Sequence, residues 1–122
     1  MGKLVIIATI EVQPGTRDRA VKILLDHRER CLRDEPGTLQ FEVLVPSDKP
    51  LGPEAPIPEA KPNTIHLYEV YTDAAAFGVH WNGASLAQAQ KEAGSIIVGL
   101  TGIPCFDMSA QVDGTETGVY AV

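Results

Sequence analysis

The chain has 122 residues, of which 44 % are hydrophobic and 21 % charged, a length and composition typical of one globular domain with its own core. A net charge of −6 argues against a nucleic-acid partner, since phosphate binding relies on Lys and Arg, and every arginine lies between Arg17 and Arg33. No run approaches the roughly 20 apolar residues of a membrane span. Glu11 follows the apolar start without a cleavage site, so we expect a cytoplasmic protein.

Residues 3–12 form the first predicted strand, because their apolar side chains alternate between two faces. Pro14-Gly15 then predicts a turn, with Thr16 placed to cap a helix. From Thr16 to Glu35, apolar residues recur at three- and four-residue spacing, with charged residues between them. This pattern predicts an amphipathic helix of about five turns.

Pro36-Gly37 ends this helix, since proline cannot continue the hydrogen-bond ladder and glycine accepts a left-handed turn. Residues 38–45 then alternate and predict a second strand, with four apolar side chains on one face: Leu39, Phe41, Val43 and Val45. Prolines are concentrated within residues 46–62. We expect an extended, exposed loop there, a surface insertion rather than a gate over a cavity.

A third strand and a second helix follow the loop. Residues 64–72 are rich in β-branched and aromatic side chains, which favour a strand, and Asp73 can cap the helix after it. Asn82-Gly83 predicts a break, and residues 84–93 predict a second helical segment. His80, Trp81 and Asn82 thus meet at one helix end, facing a strand that carries Tyr68, and we expect any functional site there.

The last predicted strand covers residues 105–112, where apolar and polar side chains alternate again. Residues 113–122 are polar and then weakly apolar, which is typical of a tail or of an arm that becomes ordered against a partner. The chain is therefore expected to hold one domain over residues 1–112 and a tail or dimer arm over residues 113–122.

The predicted order is β-α-β-β-α-β, the split βαβ or ferredoxin-like α+β arrangement, in which helices cover one face of an antiparallel sheet. The opposite face would expose Val5, Ile7 and Leu44, together with part of Ile65 or Leu67. Exposed apolar surface of this kind marks an interface. We therefore expect a homodimer in which two sheets pack face to face.

Several short motifs occur in an order and spacing that resemble the antibiotic biosynthesis monooxygenase family, a dimeric α+β barrel group that includes quinol monooxygenases. The residues that carry the resemblance are Pro14-Gly15, Glu35-Pro36-Gly37-Thr38, Phe41-Glu42-Val43-Leu44, Tyr68-Glu69-Val70-Tyr71, Asp73, Ala76, Phe77 and His80. The resemblance covers residues 3–112, and it implies the fold more strongly than any one activity.

The resemblance implies oxidation of a small aromatic phenol or quinol by O2 without flavin, metal or another cofactor. Such a reaction needs a base, an apolar cavity and hydrogen-bond donors for the developing oxyanion. His80 is the candidate base, Trp81 a candidate cavity wall, and Tyr68 and Asn82 candidate donors. The haem-degrading branch is disfavoured, since its pattern has an Asn on the first strand and this sequence has none there.

Other histidines and the cysteines are expected to be structural. His27, His66 and His80 show no short ligand spacing, so the sequence does not support a three-histidine metal site. Cys31 and Cys105 belong to no CxxC pattern and are expected to be buried free thiols.

Two alternatives to an oxygenase are open at the level of sequence. One is a non-catalytic small-molecule-binding domain, favoured by the absence of any Arg after Arg33 and by the expectation that His80 has no second acid or base beside it. The other is an isomerase of a small metabolite on the same fold. Neither alternative changes the expected cavity.

Overall fold

The computed structural model describes residues 2–109. Seven elements follow one another: β1 (Leu4–Val12), α1 (Arg17–Asp34), β2 (Thr38–Leu44), β3 (Thr64–Tyr71), α2 (Ala74–Trp81), α3 (Ala84–Ala93) and β4 (Ile97–Phe106). The four strands form one antiparallel sheet in the order β2-β3-β1-β4. The predicted ferredoxin-like α+β fold is therefore confirmed, with the second helix divided at Asn82-Gly83 as expected.

The core lies between the sheet and the helices. Alternation along β1 turns Leu4, Ile6, Ala8, Ile10 and Val12 toward the helices, and all five are buried. The spacing in α1 predicts a facing stripe of Ala20, Ile23, Leu24, His27, Cys31 and Leu32; the first five are buried and Leu32 is only partly buried. Burial of these two apolar faces against each other, at about 25 cal/mol per Å² of apolar surface, favours this packing.

The two predicted helix caps have different outcomes. Asp73 caps α2, because its Oδ1 accepts a hydrogen bond from the backbone N–H of Ala76 at 2.8 Å. Thr16 occupies the cap position of α1, but its hydroxyl donates backward to the carbonyl oxygen of Gln13 at 2.6 Å. The prediction that the Thr16 side chain caps α1 is therefore wrong, and this hydroxyl closes the preceding turn instead.

The fourth strand lies earlier than predicted. Nine of its ten residues pair with β1, from Ile97 opposite Val12 to Phe106 opposite Leu4, and Val98 has no partner in this register. The strand therefore ends where residues 105–112 were expected to begin one. Glycine and proline conceal the strand in the sequence, since Gly99, Gly102 and Pro104 interrupt any alternation. They are tolerated because β4 is an edge strand. Residues 110–122, including the predicted tail or arm, lie outside the described residues.

The second strand contains a bulge that alternation could not reveal. The pairing of β2 with β3 shifts register between Thr38 and Gln40, and Leu39 is 45 % exposed while Phe41 is buried. The predicted common face of Leu39, Phe41, Val43 and Val45 is therefore wrong at Leu39. Val45 lies beyond the strand end and is also exposed.

The open face of the sheet carries Ile7, Leu44, Tyr68 and Ile103, all of which are exposed large side chains. Ile65 and Leu67 do not belong to this face, as both are buried in the core below the helices. Val5 is buried as well. The open face therefore has the predicted exposed apolar surface at Ile7 and Leu44, but not at Val5, Ile65 or Leu67.

The long connection between β2 and β3 agrees with the expectation from the sequence. Residues 46–62, all of them described, contain neither helix nor strand and form the predicted loop. Arg17 Nη1 donates a hydrogen bond to the carbonyl oxygen of Lys61 at 2.8 Å, which ties the end of the loop to α1. Within residues 2–109, no helix has the length and apolarity needed to cross a bilayer.

Candidate active site

A cavity of about 460 Å³ lies between the inner face of the sheet and the helices. This volume is in the range of small-molecule sites. Its lining is mostly apolar and includes Ile6, Ala8, Ile10, Leu67, Phe77, Leu86 and Leu100. The cavity reaches solvent at Leu100 and Trp81, since both line it and both are more than half exposed.

Small residues create the space. Ala8, Ala89, Ala93 and Gly102 line the cavity from the sheet and from α3, at positions where larger side chains would fill it. A Cβ added at Gly102 would lie 3.8 Å from Ile6 Cγ2, an ordinary contact distance, so the backbone leaves room there. The shape of the cavity is therefore set by side-chain size on opposite walls.

His80 is the central polar group of the cavity. It lies in the last turn of α2 and is only 4 % exposed. Its Nδ1 lies 2.9 Å from Glu35 Oε1, and its Nε2 lies 3.9 Å from Glu69 Oε1. Two carboxyl groups thus flank one imidazole, and the expectation that His80 has no acid or base beside it is wrong.

Each flanking carboxyl group has a further partner. Glu35 follows the last residue of α1 and accepts a hydrogen bond from the Thr38 hydroxyl at 3.0 Å. Glu69 faces inward from β3 and accepts a hydrogen bond from the Tyr71 hydroxyl. Burial raises the pKa of Glu69, and the Tyr71 hydrogen bond and the His80 charge oppose that rise. Burial and then the Glu69 charge raise the pKa of Tyr71, which keeps its proton.

Gly83 allows Glu35 to reach His80. A Cβ at this position would lie 3.0 Å from the carbonyl oxygen of Val79 and 3.1 Å from Glu35 Oε2, closer than ordinary side-chain contacts. The helix break at Asn82-Gly83 therefore has a second structural effect besides ending α2. It leaves space for the carboxyl group that approaches from α1.

A second buried cluster adjoins His80. His27 lines the cavity, its ring centroid lies 5.3 Å from that of His80, and its Nδ1 lies 2.8 Å from Ser85 Oγ. Burial, followed by the charges of His80 and Arg30, lowers the pKa of His27 to about 4, so the ring is neutral at pH 7. Burial raises the pKa of the neighbouring Cys31 thiol to about 12.

The remaining predicted residues are divided between two faces of the molecule. Trp81 lines the cavity and stacks on Phe77 with ring centroids 5.9 Å apart. Tyr68 lies on the open face of the sheet, because alternation turns it away from Glu69. Asn82 is exposed, and its Nδ2 donates to the carbonyl oxygen of Gly78 at 2.9 Å. The structure brings His80 and Trp81 together in the cavity, without Tyr68 or Asn82.

His66 and Cys105 lie outside this site. His66 Nδ1 is 3.1 Å from Thr9 Oγ1, at a position where the two strands pair. Cys31 is a buried free thiol as predicted, but Cys105 is only partly buried, since it lies on the edge strand β4. Glu69 was not among the site residues predicted from the sequence. Strand alternation could have indicated it, because it places Glu69 on the same face as the apolar Leu67 and opposite Tyr68.

The fold and the cavity together define a class of protein, a ferredoxin-like α+β domain with a buried acid–base cluster in an apolar cavity. The chain belongs to the antibiotic biosynthesis monooxygenase family, whose model matches residues 3–92. The resemblance found in the sequence motifs is thereby confirmed.

Solved structures share this fold. A candidate antibiotic biosynthesis monooxygenase from Nitrosomonas europaea superposes with a TM-score of 0.74 at 18 % identity, over 89 % of this chain and 94 % of that one. A similarly described protein from Caulobacter crescentus gives a TM-score of 0.72 at 19 % identity, over 87 % and 90 %. A comparison with functionally curated proteins finds no match. At these identities the likeness establishes the fold.

Proposed function

We propose that this protein is a cofactor-independent monooxygenase that oxidises a small aromatic phenol or quinol with O2. The observation that carries the proposal is the buried His80, held at Nδ1 by Glu35 in the wall of an apolar cavity. Membership of the family supports a monooxygenase-like activity. The substrate class is what the family resemblance implies, and the apolar cavity and the imidazole base support it.

His80 is positioned to take a proton from a substrate hydroxyl. When Nδ1–H donates to the Glu35 carboxylate, the lone pair is left on Nε2, the nitrogen on the Glu69 side. An imidazole in this tautomer is a general base. The orientation of His80 by a buried carboxylate follows the same logic as a catalytic dyad in which an acid fixes the tautomer of the base.

The phenolate formed in this way supplies the electrons for O2. One oxygen atom becomes bonded to a ring carbon as a carbonyl, and the other leaves as water with two hydrogens from the substrate. Naphthol, for example, would give naphthoquinone and water. O2 is apolar and enters an apolar cavity readily, and the Phe77–Trp81 pair offers a flat aromatic surface at the mouth for the substrate ring.

We assign no cavity role to Tyr68 or Asn82. In this proposal Glu69 takes the place of the expected donors, since its carboxyl lines the cavity beside His80. When it is protonated, this carboxyl can donate a hydrogen bond to a developing oxyanion, and burial shifts the pKa of Glu69 upward, in the direction that this role needs.

We also propose that the protein is a homodimer formed through the open face of the sheet. Ile7, Leu44 and Ile103 are between 43 % and 61 % exposed on the described surface. An interface of roughly 1,600 Å² would cover such a surface and is a common size for stable protein pairs. The cavity lies on the other side of the sheet, so each protomer keeps its own.

An isomerase of a small metabolite is the second candidate. The closeness of His80 Nε2 and Glu69 Oε1, 3.9 Å apart, favours it, because an isomerase can use one group to remove a proton and a second group to return it. The non-catalytic alternative loses one of its two arguments from the sequence, because Glu35 and Glu69 flank His80.

The test is oxygen consumption by protein stripped of metal and flavin, measured with a panel of naphthols, quinols and anthrones. We expect one O2 consumed per quinone formed, and a loss of about 10²-fold in turnover for His80→Ala, the usual contribution of a positioned base. His66→Ala is the matched control, since that histidine lies away from the cavity. No O2 uptake with any substrate would exclude the oxygenase, and proton exchange from a carbon acid without O2 uptake would favour the isomerase.

A further inference from the structure

Four buried side chains with metal-binding donors meet at the end of α1. His27, Cys31 and Glu35 recur at every fourth residue and so lie along one stripe, and His80 approaches them from α2. All four are less than 9 % exposed. The proposed oxygenase reaction uses His80 and Glu35 but gives no role to His27 or Cys31.

The distances suit a tetrahedral metal ion. Cys31 Sγ lies 3.5 Å from His27 Nε2 and 3.6 Å from His80 Nδ1. Zinc bonds of about 2.3 Å to sulfur and about 2.05 Å to nitrogen, at a tetrahedral angle, separate those two ligand atoms by about 3.5 Å. One donor atom from each of His27, Cys31 and His80 lies within 4.8 Å of the others. Both imidazole rings also border the cavity.

Oxygen atoms also lie near the ring nitrogens of His27 and His80 that would not bind the metal ion. Metal-bound histidines commonly hydrogen-bond through their second ring nitrogen to a carboxylate, a carbonyl or water. If His27 binds through Nε2, its Nδ1 keeps the hydroxyl of Ser85 at 2.8 Å. If His80 binds through Nδ1, its Nε2 faces the Glu69 carboxyl at 3.9 Å. The free nitrogen of His27 therefore has a hydrogen-bond partner, and a carboxyl oxygen lies near the free nitrogen of His80, beyond hydrogen-bond distance.

We propose that His27, Cys31 and His80, with Glu35 as a fourth donor, bind one late first-row divalent metal ion such as Zn²⁺ or Co²⁺. Sulfur and imidazole donors select such ions over Mg²⁺ and Ca²⁺, which prefer oxygen. On binding, Cys31 releases its thiol proton to solvent and coordinates as the thiolate. This proposal goes beyond the proposed oxygenase and does not depend on it.

The metal-bound state and the proposed base are mutually exclusive. A metal ion on Nδ1 of His80 replaces the hydrogen bond to Glu35, and the remaining ring proton then lies on Nε2. An Nε2–H group cannot accept the substrate proton. The metal would therefore inhibit the oxygenase, and it would do so by changing the tautomer of His80 rather than by filling the cavity.

The experiment is a Co²⁺ titration of the full chain after chelator treatment. We expect a thiolate-to-cobalt charge-transfer absorption that saturates at one ion per chain, disappears on addition of Zn²⁺ and is absent with Mg²⁺. Cys31→Ser should abolish the band, and His27→Gln should weaken binding at least tenfold. Cys105→Ser is the matched control and should keep the band, because Cys105 lies on the edge strand β4.

A second measurement uses only the wild-type protein, in case the variants do not fold. Zn²⁺ bound to the native state should raise the melting temperature and release at least one proton per chain, detected with a pH indicator. Absence of both the cobalt band and the Zn²⁺ stabilisation in the wild type would overturn the proposal. So would a band that persists in folded Cys31→Ser and disappears in Cys105→Ser. Oxygen uptake by the metal-free protein is measured separately, so failure of one proposal leaves the other testable.

Discussion

Glu35 Oε1 and His80 Nδ1 lie 2.9 Å apart in a buried contact, although the two residues are separated by 45 positions in the chain. This contact joins the end of α1 to the end of α2. It fixes which nitrogen of His80 faces Glu69, and it makes Glu35 a positioning residue for the proposed base.

Glu35→Gln should therefore reduce turnover without closing the cavity. The amide keeps the shape of the side chain but removes the charge that holds Nδ1–H, so we expect kcat to fall at least tenfold with little change in KM. Steady-state oxygen uptake measures both constants. Glu29→Gln removes an exposed carboxylate from α1, the helix that Glu35 follows, and is the matched control. Equal activity in the two variants would remove Glu35 from this role.

Filling the cavity from β4 should block substrate binding. A Cβ at Gly102 meets only Ile6 at 3.8 Å, so Gly102→Ala should fold normally, while Gly102→Leu should occupy the cavity and raise KM at least tenfold. Gly99→Leu, whose added Cβ would contact Glu11 on the other face, is the control. If Gly102→Leu binds substrate as the wild type does, the cavity is not the binding site.

Disrupting the open face should change the assembly and spare the cavity. Ile7→Asp or Leu44→Asp places a charge on the exposed apolar face of the sheet, and we expect the dimer to dissociate or aggregate. Light scattering of the wild type at micromolar concentration should report about twice 13.1 kDa. Leu51→Asp, in the exposed loop, should leave that mass unchanged. A folded wild-type monomer would contradict the proposed dimer.

The metal-free protein should lose stability as the pH falls below about 6.5. Folded His27 has a pKa of about 4, whereas the unfolded value is about 6.5, so the unfolded chain binds the proton more readily in this interval. Linkage then predicts that this group alone lowers the free energy of unfolding by about 2 kcal/mol at pH 5, relative to a pH well above 6.5. Denaturant unfolding in a chelator measures it. His27→Gln should flatten the slope between pH 4.5 and 6.5, and His66→Gln should not.

Periodicity predicted most of the fold, and its failures have physical causes. The stripe of α1 and the alternation of β1 are strong because one side of each element is buried. The position of β4 is set by its pairing with β1, and its glycines and proline give no local signal. The exposure of Leu39 depends on a bulge that appears only when β2 pairs with β3.

The candidate site was less predictable than the fold. His80 and Trp81 were found because they are adjacent at a helix end, which is a local property. The contact of His80 with Glu35 depends on how α2 crosses α1, and no spacing in the sequence indicates it. Alternation shows that Tyr68 and Glu69 lie on opposite faces of β3, but only the position of the helices decides which face borders the cavity.

The helix break at Asn82-Gly83 determines how far the side chains of α3 are rotated about the helix axis relative to those of α2. In a continuous helix, residues five positions apart point about 140° away from each other. His80 and Ser85 have that separation, yet both reach α1, where they contact Glu35 and His27. Because of this break, α2 and α3 can both turn a side chain toward α1. Deleting one residue from the break would rotate α3 by about 100° and take Ser85 away from His27, with the sequence of every helix unchanged.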